Sequence, residues 1–389
     1  MEKMFKRTLI GAAVASVVSF GSFADEGAGG QVGINSDFDV EVYGVAAISA
    51  VNYNTADNES DSSGFAVENE SRIGFRASGD MTDSIRVTMQ IESGYVDNTD
   101  WAHGGTSGGV LGFRDTYIGL SGDFGNVRIG RVLTPLYEIV DWPFSNPGLG
   151  SVFDWGGINA HYDRQSNQIR YDSPKFGGFT FAASVGRDDD DNGGGNATRD
   201  AFFASANAKY AFEKLTLMGA VESGKRPGST TAEEWKIAQE GESGTDDKGN
   251  AYAPGDSYYT GASTTADTDT LAYLVGFDLA LPAGFGLAAA YKHEQLDQAS
   301  VKHDQGSYSV IGQYWNGPIG FKLGYAANLD SEKGGVSQDD AENTISGQLM
   351  AVVNGFVPYI RVAQRTTNVK DSTDNRSDIV TRVGLEYGF

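Results

Sequence analysis

The sequence predicts an all-β chain, with 16 antiparallel strands closed into a transmembrane β-barrel. Three observations predict it: side-chain polarity alternates with period two over most of the chain, connections alternate between short and long, and the chain stops on an aromatic inside a strand-like segment. Successive side chains of a strand point to opposite faces, so period-two segments have one apolar face and one polar face.

The first residues read as an export address. Lys3, Lys6 and Arg7 precede an apolar run, Leu9 to Phe20, that is too short to cross a bilayer as a helix. Small residues at Ser22 and Ala24 predict cleavage before Asp25, so residues 1–24 are expected to be a cleaved signal peptide and 25–389 a single domain. The signal is net positive, so its removal takes the formal charge from −23 to −25. That acidity excludes nucleic acid, whose phosphates need a basic footprint. There is no cysteine, which excludes a disulfide scaffold.

From about residue 39 the alternation is plain. In Ile85-Arg86-Val87-Thr88-Met89-Gln90-Ile91-Glu92 every odd position is apolar and every even one polar, and Ile319 to Tyr325 repeats the pattern. Strands are predicted at 39–53, 67–78, 84–95, 113–121, 126–131, 164–173, 179–186, 202–210, 215–223, 268–280, 285–294, 306–315, 319–328, 342–352, 355–366 and 378–389. Short turns at 79–83, 122–125, 174–178, 281–284 and 316–318 carry Gly, Pro, Asp and Asn. Long connections are expected at 54–66, 96–112, 132–163, 187–200, 224–267, 295–305, 329–341 and 367–377. Long loops at one end, short turns at the other and an even strand count are the pattern of outer-membrane barrels. Phe179, Phe181, Phe321, Tyr325, Tyr387 and Phe389 lie on the apolar parity near strand ends, where interfacial girdles form.

Short motifs in order along the chain resemble the general bacterial porins: Val42-Tyr43-Gly44, Ser71-Arg72-Ile73-Gly74-Phe75, Tyr117-Ile118-Gly119-Leu120, Phe124 to Arg131, Ile169 to Pro174 and Tyr387-Gly388-Phe389. The resemblance implies a homotrimeric outer-membrane diffusion channel for ions and small hydrophilic solutes in a Gram-negative bacterium. It implies that Phe389 is the signal read by the barrel-assembly machinery. It also implies that the connection at 132–163 folds inward as a constriction loop, with Glu138, Asp141 and Asp154 as its acids. Opposite them it implies an arginine ladder, to which Arg72, Arg114 and Arg164 correspond by motif; Arg170 joins by polar parity. The family's first-strand lysine is replaced by Val45, which leaves the ion preference open. Arg131 shares the outward parity of Val127 and Ile129, and the resemblance makes it a trimer contact with Asp97 or Asp100 of a neighbour as partner.

Competing classes find less support. His103, His161, His293 and His303 are scattered, and neither Gly-x-Ser-x-Gly nor His-Glu-x-x-His occurs, so an enzyme is not expected. Asp188 to Asp191 and Asp246-Asp247 lack the spacing of an ion-wrapping loop; they are expected as solvated charge, bridged to lipopolysaccharide by divalent ions. No metal or other cofactor is expected. A soluble exported β-protein would not show one apolar and one charged face in nearly every strand. The alternative to general diffusion is a substrate-specific channel for sugars or anions.

Overall fold

The computed structural model describes residues 38–54, 65–94, 112, 114–145, 152–187, 201–228, 230–231, 233–239, 242–368 and 375–389. The expected signal peptide, Asp97, Asp100, His103 and Asp188 to Asp191 lie outside the described residues. The fold is a closed barrel of 16 antiparallel strands. In chain order they are β1 (Asp39–Asn54), β2 (Phe65–Asn69 and Arg72–Thr82), β3 (Ile85–Gly94), β4 (Thr116–Gly122), β5 (Gly125–Leu133), β6 (Arg164–Asp172), β7 (Phe179–Arg187) and β8 (Phe202–Ala211). There follow β9 (Leu215–Arg226), β10 (Thr268–Ala280), β11 (Phe285–Gln298), β12 (Val301–Asn316), β13 (Ile319–Asn328), β14 (Glu342–Ala351), β15 (Phe356–Thr367) and β16 (Arg376–Gly388). Each pairs with its neighbour, and β1 pairs with β16 from Val45↔Gly388 to Asn54↔Ile379, which leaves no open edge.

Alternation decides which face each residue takes. Ile48, Ile118, Ile129, Ile169, Val275, Leu323, Ile345 and Val383 are exposed on the outside, where lipid replaces water. The intervening residues, among them Gln90, Asn207, Thr270, Ser309 and Gln348, are buried on the inside. Phe179, Phe321 and Phe389 stand exposed, as the aromatic parity predicts.

Two interruptions are built by specific contacts. β2 breaks at Glu70-Ser71, and the Ser71 hydroxyl accepts the Ala47 N–H at 3.0 Å where a ladder carbonyl would stand. Between β5 and β6 the register steps from Gly130↔Gln168 to Val132↔Gln165, an extra residue on β6. Beside this bulge, Arg131 departs from the outward exposure that its parity predicts. Arg131 is buried rather than lipid-facing, and its Nη1 donates to Ser166 Oγ at 2.9 Å.

Two predicted long loops differ from the structure. Residues 295–305 continue β11 and β12 as a hairpin closed by Ala299 and Ser300, both at positive φ (51° and 65°), with Gln298 opposite Val301. Both faces are polar there, so alternation fades although the backbone ladder continues. Residues 224–267 extend β9 to Arg226 and then form a nested ribbon, with Glu234–Ile237 paired to Ser257–Thr260 and Gly244–Thr245 to Ala251–Tyr252.

Candidate permeation site

The chain between β5 and β6 turns into the barrel. It carries α1 (Pro135–Ile139), a wider turn at Val140–Phe144 and α2 (Val152–Trp155). Thr134 caps α1 by accepting the Tyr137 N–H at 3.2 Å, and its own N–H donates to the Asp163 carbonyl, tying the two ends of the loop together.

Apolar burial seats the loop. Leu136, Ile139, Val140, Phe144, Val152 and Phe153 pack on Ala272, Leu274, Ala288, Ala290 and Ala326, which face inward from β10, β11 and β13. Small inward residues leave room for the loop's large ones. Phe144 reaches within 2.6 Å of where a Gly276 side chain would begin, so only glycine fits there. This landing site was readable in the sequence as alanines on the polar parity of three strands, a signal the strand-by-strand reading passed over.

Wall side chains then hold the loop's backbone. Glu294 Oε1 accepts the Ala160 and His161 N–H groups at 2.9 and 3.1 Å, and Glu222 Oε1 accepts that of Tyr162 at 2.6 Å. Gln305 and Glu342 accept Ile158 and Gly157 at 3.0 and 2.9 Å, while the Ser309 hydroxyl donates to the Phe144 carbonyl at 2.6 Å. Backbone groups buried this way would otherwise be costly, and here each has a partner. Beneath the loop Lys292 and Glu294, both fully buried, pair at 2.9 Å, with His161 Nδ1 2.6 Å from Glu294. Burial, aided by Lys292, pushes the His161 imidazole below its ordinary range.

The expected site residues divide into three groups. Glu138 meets Arg170, which also pairs with Asp172, and Lys209 lies 2.8 Å from Glu138. Burial opposes ionisation, but the two cations hold the Glu138 carboxyl down to about 2. Glu138 and Arg170 are therefore bonded to each other and do not face one another across a gap. Asp154 is turned beneath the loop and is 7% exposed; burial pushes its carboxyl up to about 8, partly offset by Lys292 and reinforced by Asp141. It does not line the opening as expected. Asp141, by contrast, is exposed.

On the basic side, Arg114 pairs with Glu92 at 2.5 Å and Arg164 with Asp115 at 2.6 Å. Arg72 is exposed and has no ion-pair partner among the described residues. The structure adds a residue the charge-based reading missed. Trp142, in extended backbone at φ −141° and ψ 125°, is 60% exposed although Val140 and Phe144 of the same turn are buried. Lys322 Nζ lies 4.8 Å from its ring centroid. Of the histidines, His161 sits in the loop and His293 and His303 on separate strands; among the described residues no group of side chains is arranged to hold a metal ion.

A family model described as Gram-negative porin matches residues 11–348. The chain belongs to the Gram-negative porins. The porin is 67% identical to a chitoporin of Vibrio furnissii over 390 residues, covering the whole of both chains. It is 36% identical over 117 residues to the major outer membrane protein P.IB of Neisseria sicca, covering 29% of this chain and 30% of that one. Among solved structures, a trimer form of OmpT, an outer membrane protein of Vibrio cholerae, matches with TM-score 0.63 at 14% identity, over 90% of this chain and 99% of that one. An anion-selective porin of Comamonas acidovorans matches with TM-score 0.62 at 15% identity, over 90% and 100%. The porin therefore resides in the outer membrane and forms a water-filled channel through which ions and small hydrophilic solutes diffuse. Its channel is what the wall and the inward loop leave open.

Proposed function

We propose that this porin is a substrate-selective channel for oligosaccharides derived from chitin, acting as a homotrimer. The observation that carries the reading is the full-length 67% identity to a chitoporin. The geometry supports it. An exposed indole on a constriction loop offers a flat apolar face to a sugar ring, beside polar groups that take its hydroxyls. Asp141 supplies the acid of the gap, and Arg72, Arg114 and Arg164 supply the basic side. Arg131 is the candidate trimer contact, now as a buried residue beside a bulge, and Phe389 the candidate assembly signal. Lipopolysaccharide and the barrel-assembly machinery are the expected partners in the membrane.

The test is single-channel recording in a planar bilayer with chitotriose added to one side. Stepwise blockades are expected, and Trp142→Ala should shorten them about tenfold while leaving the open-channel conductance near its wild-type value. A wild-type channel that chitotriose never blocks would remove the selective reading and leave a general diffusion channel.

A further inference from the structure

Two layered units of the same design stand on the inner wall, one on β1–β3 and one on β14–β16. In the first, Tyr43 of β1 lies opposite Gly74 of β2, and its ring occupies the space a Gly74 side chain would fill. The Arg76 guanidinium stacks on that ring, its carbon 3.7 Å from the centroid. Arg76 Nε donates to Oε1 of its cross-strand partner Gln90 at 3.1 Å. In the second, Tyr359 of β15 lies in the hollow of its cross-strand partner Gly384 of β16. Arg361 stacks on it at 3.9 Å, and its Nε donates to Oε1 of its own partner Gln348 at 2.9 Å.

Glycine lets each tyrosine lie flat, the tyrosine holds the guanidinium plane by stacking, and the glutamine fixes its rotation about that plane. A guanidinium held in this way is pre-organised: its remaining N–H groups are aimed before a solute arrives. Each is also partly neutralised. Glu41 lies 4.0 Å from Arg76, and Glu386 lies 3.2 Å from Arg361. A strongly held anion would have to compete with those carboxylates, whereas a neutral carbonyl oxygen needs only a free N–H.

We propose that the Arg76 and Arg361 units are specificity-determining rungs that donate hydrogen bonds to the carbonyl oxygens of neutral, amide-bearing solutes, here the acetamido groups of a chitin-derived chain. This deepens the proposed function and rests on it. Small ions, carrying no such group, pass without using the rungs.

The experiment compares chitotriose with cellotriose, which has the same backbone linkage without acetamido groups, in bilayers containing the full-length channel. Lysine keeps the charge but loses the planar fork. The Arg76→Lys and Arg361→Lys variants should each shorten chitotriose blockades about fivefold. Cellotriose blockades and the reversal potential in a salt gradient should stay unchanged. Unaltered chitotriose blockades in the doubly substituted channel would overturn the rungs while leaving the Trp142 reading intact. Equal losses for cellotriose would overturn them too, because the amide would then not be what they read. Should chitotriose fail to block even the wild-type channel, both proposals fall. Acetate added alone is not expected to compete at concentrations comparable to the sugar; strong competition would make the rungs anion sites and refute the neutral-amide assignment.

Discussion

Asp154 shows how a residue's surroundings override its type. By sequence it is an acid in a constriction loop. In the fold it is buried against the wall, and its carboxyl is pushed up to about 8. The ordinary value is near 3.8, so between those limits the folded state keeps a proton that the unfolded chain has lost. Its contribution to stability is complete below the unfolded value and is lost as pH rises toward 8, with a slope of about 1.4 kcal/mol per pH unit. The thermal midpoint of the folded band on gels should therefore fall between pH 5 and pH 8. Asp154→Asn should flatten that dependence relative to wild type; identical slopes would show that the carboxyl is ionised in place. Arg131 teaches a related lesson. Its parity was legible, but its burial and its bond to Ser166 beside the β6 bulge leave no mark on periodicity.

The constriction loop is the element whose placement matters most. Its position after the fifth strand was legible through resemblance, and its compactness through Pro and Trp content. Its seat was legible only in retrospect, because a folded-in loop has no period and the wall's alanines look unremarkable strand by strand. Which acids face the opening was not legible at all, since Glu138 and Asp154 differ from Asp141 through tertiary contacts alone. The Gly276 hollow gives a test at this scale. Gly276→Val would collide with Phe144 and lift the wider turn from its seat. The expected result is an assembled barrel with changed conductance and noisier current; a wild-type trace would mean that Phe144 does not anchor the loop.

For the whole molecule, alternation of side-chain polarity and of connection length led to the same 16 strands the fold shows, with boundaries close to those predicted. The errors fall in connections: the β11–β12 hairpin is mostly polar, and in the ribbon after β9 Trp235 and Ile237 alternate with Glu234 and Lys236 on a strand that is exposed throughout. Assembly belongs to this scale as well. Extracted in mild detergent, the porin should migrate as a trimer that heating converts to monomer, and bilayer insertion should give conductance in threes. Arg131→Ala should lower the temperature of that conversion; a monomeric wild-type band would remove the trimer reading.

Much of the loop's polar clamp grips peptide groups rather than side chains: Glu222, Glu294, Gln305 and Glu342 all accept main-chain N–H bonds. A grip of that kind is indifferent to which amino acid supplies the amide. Positions along the loop that are neither buried anchors nor prolines can therefore mutate without unseating it. Exposed positions such as Asp141 and Trp142 can change while the constriction itself is inherited unchanged.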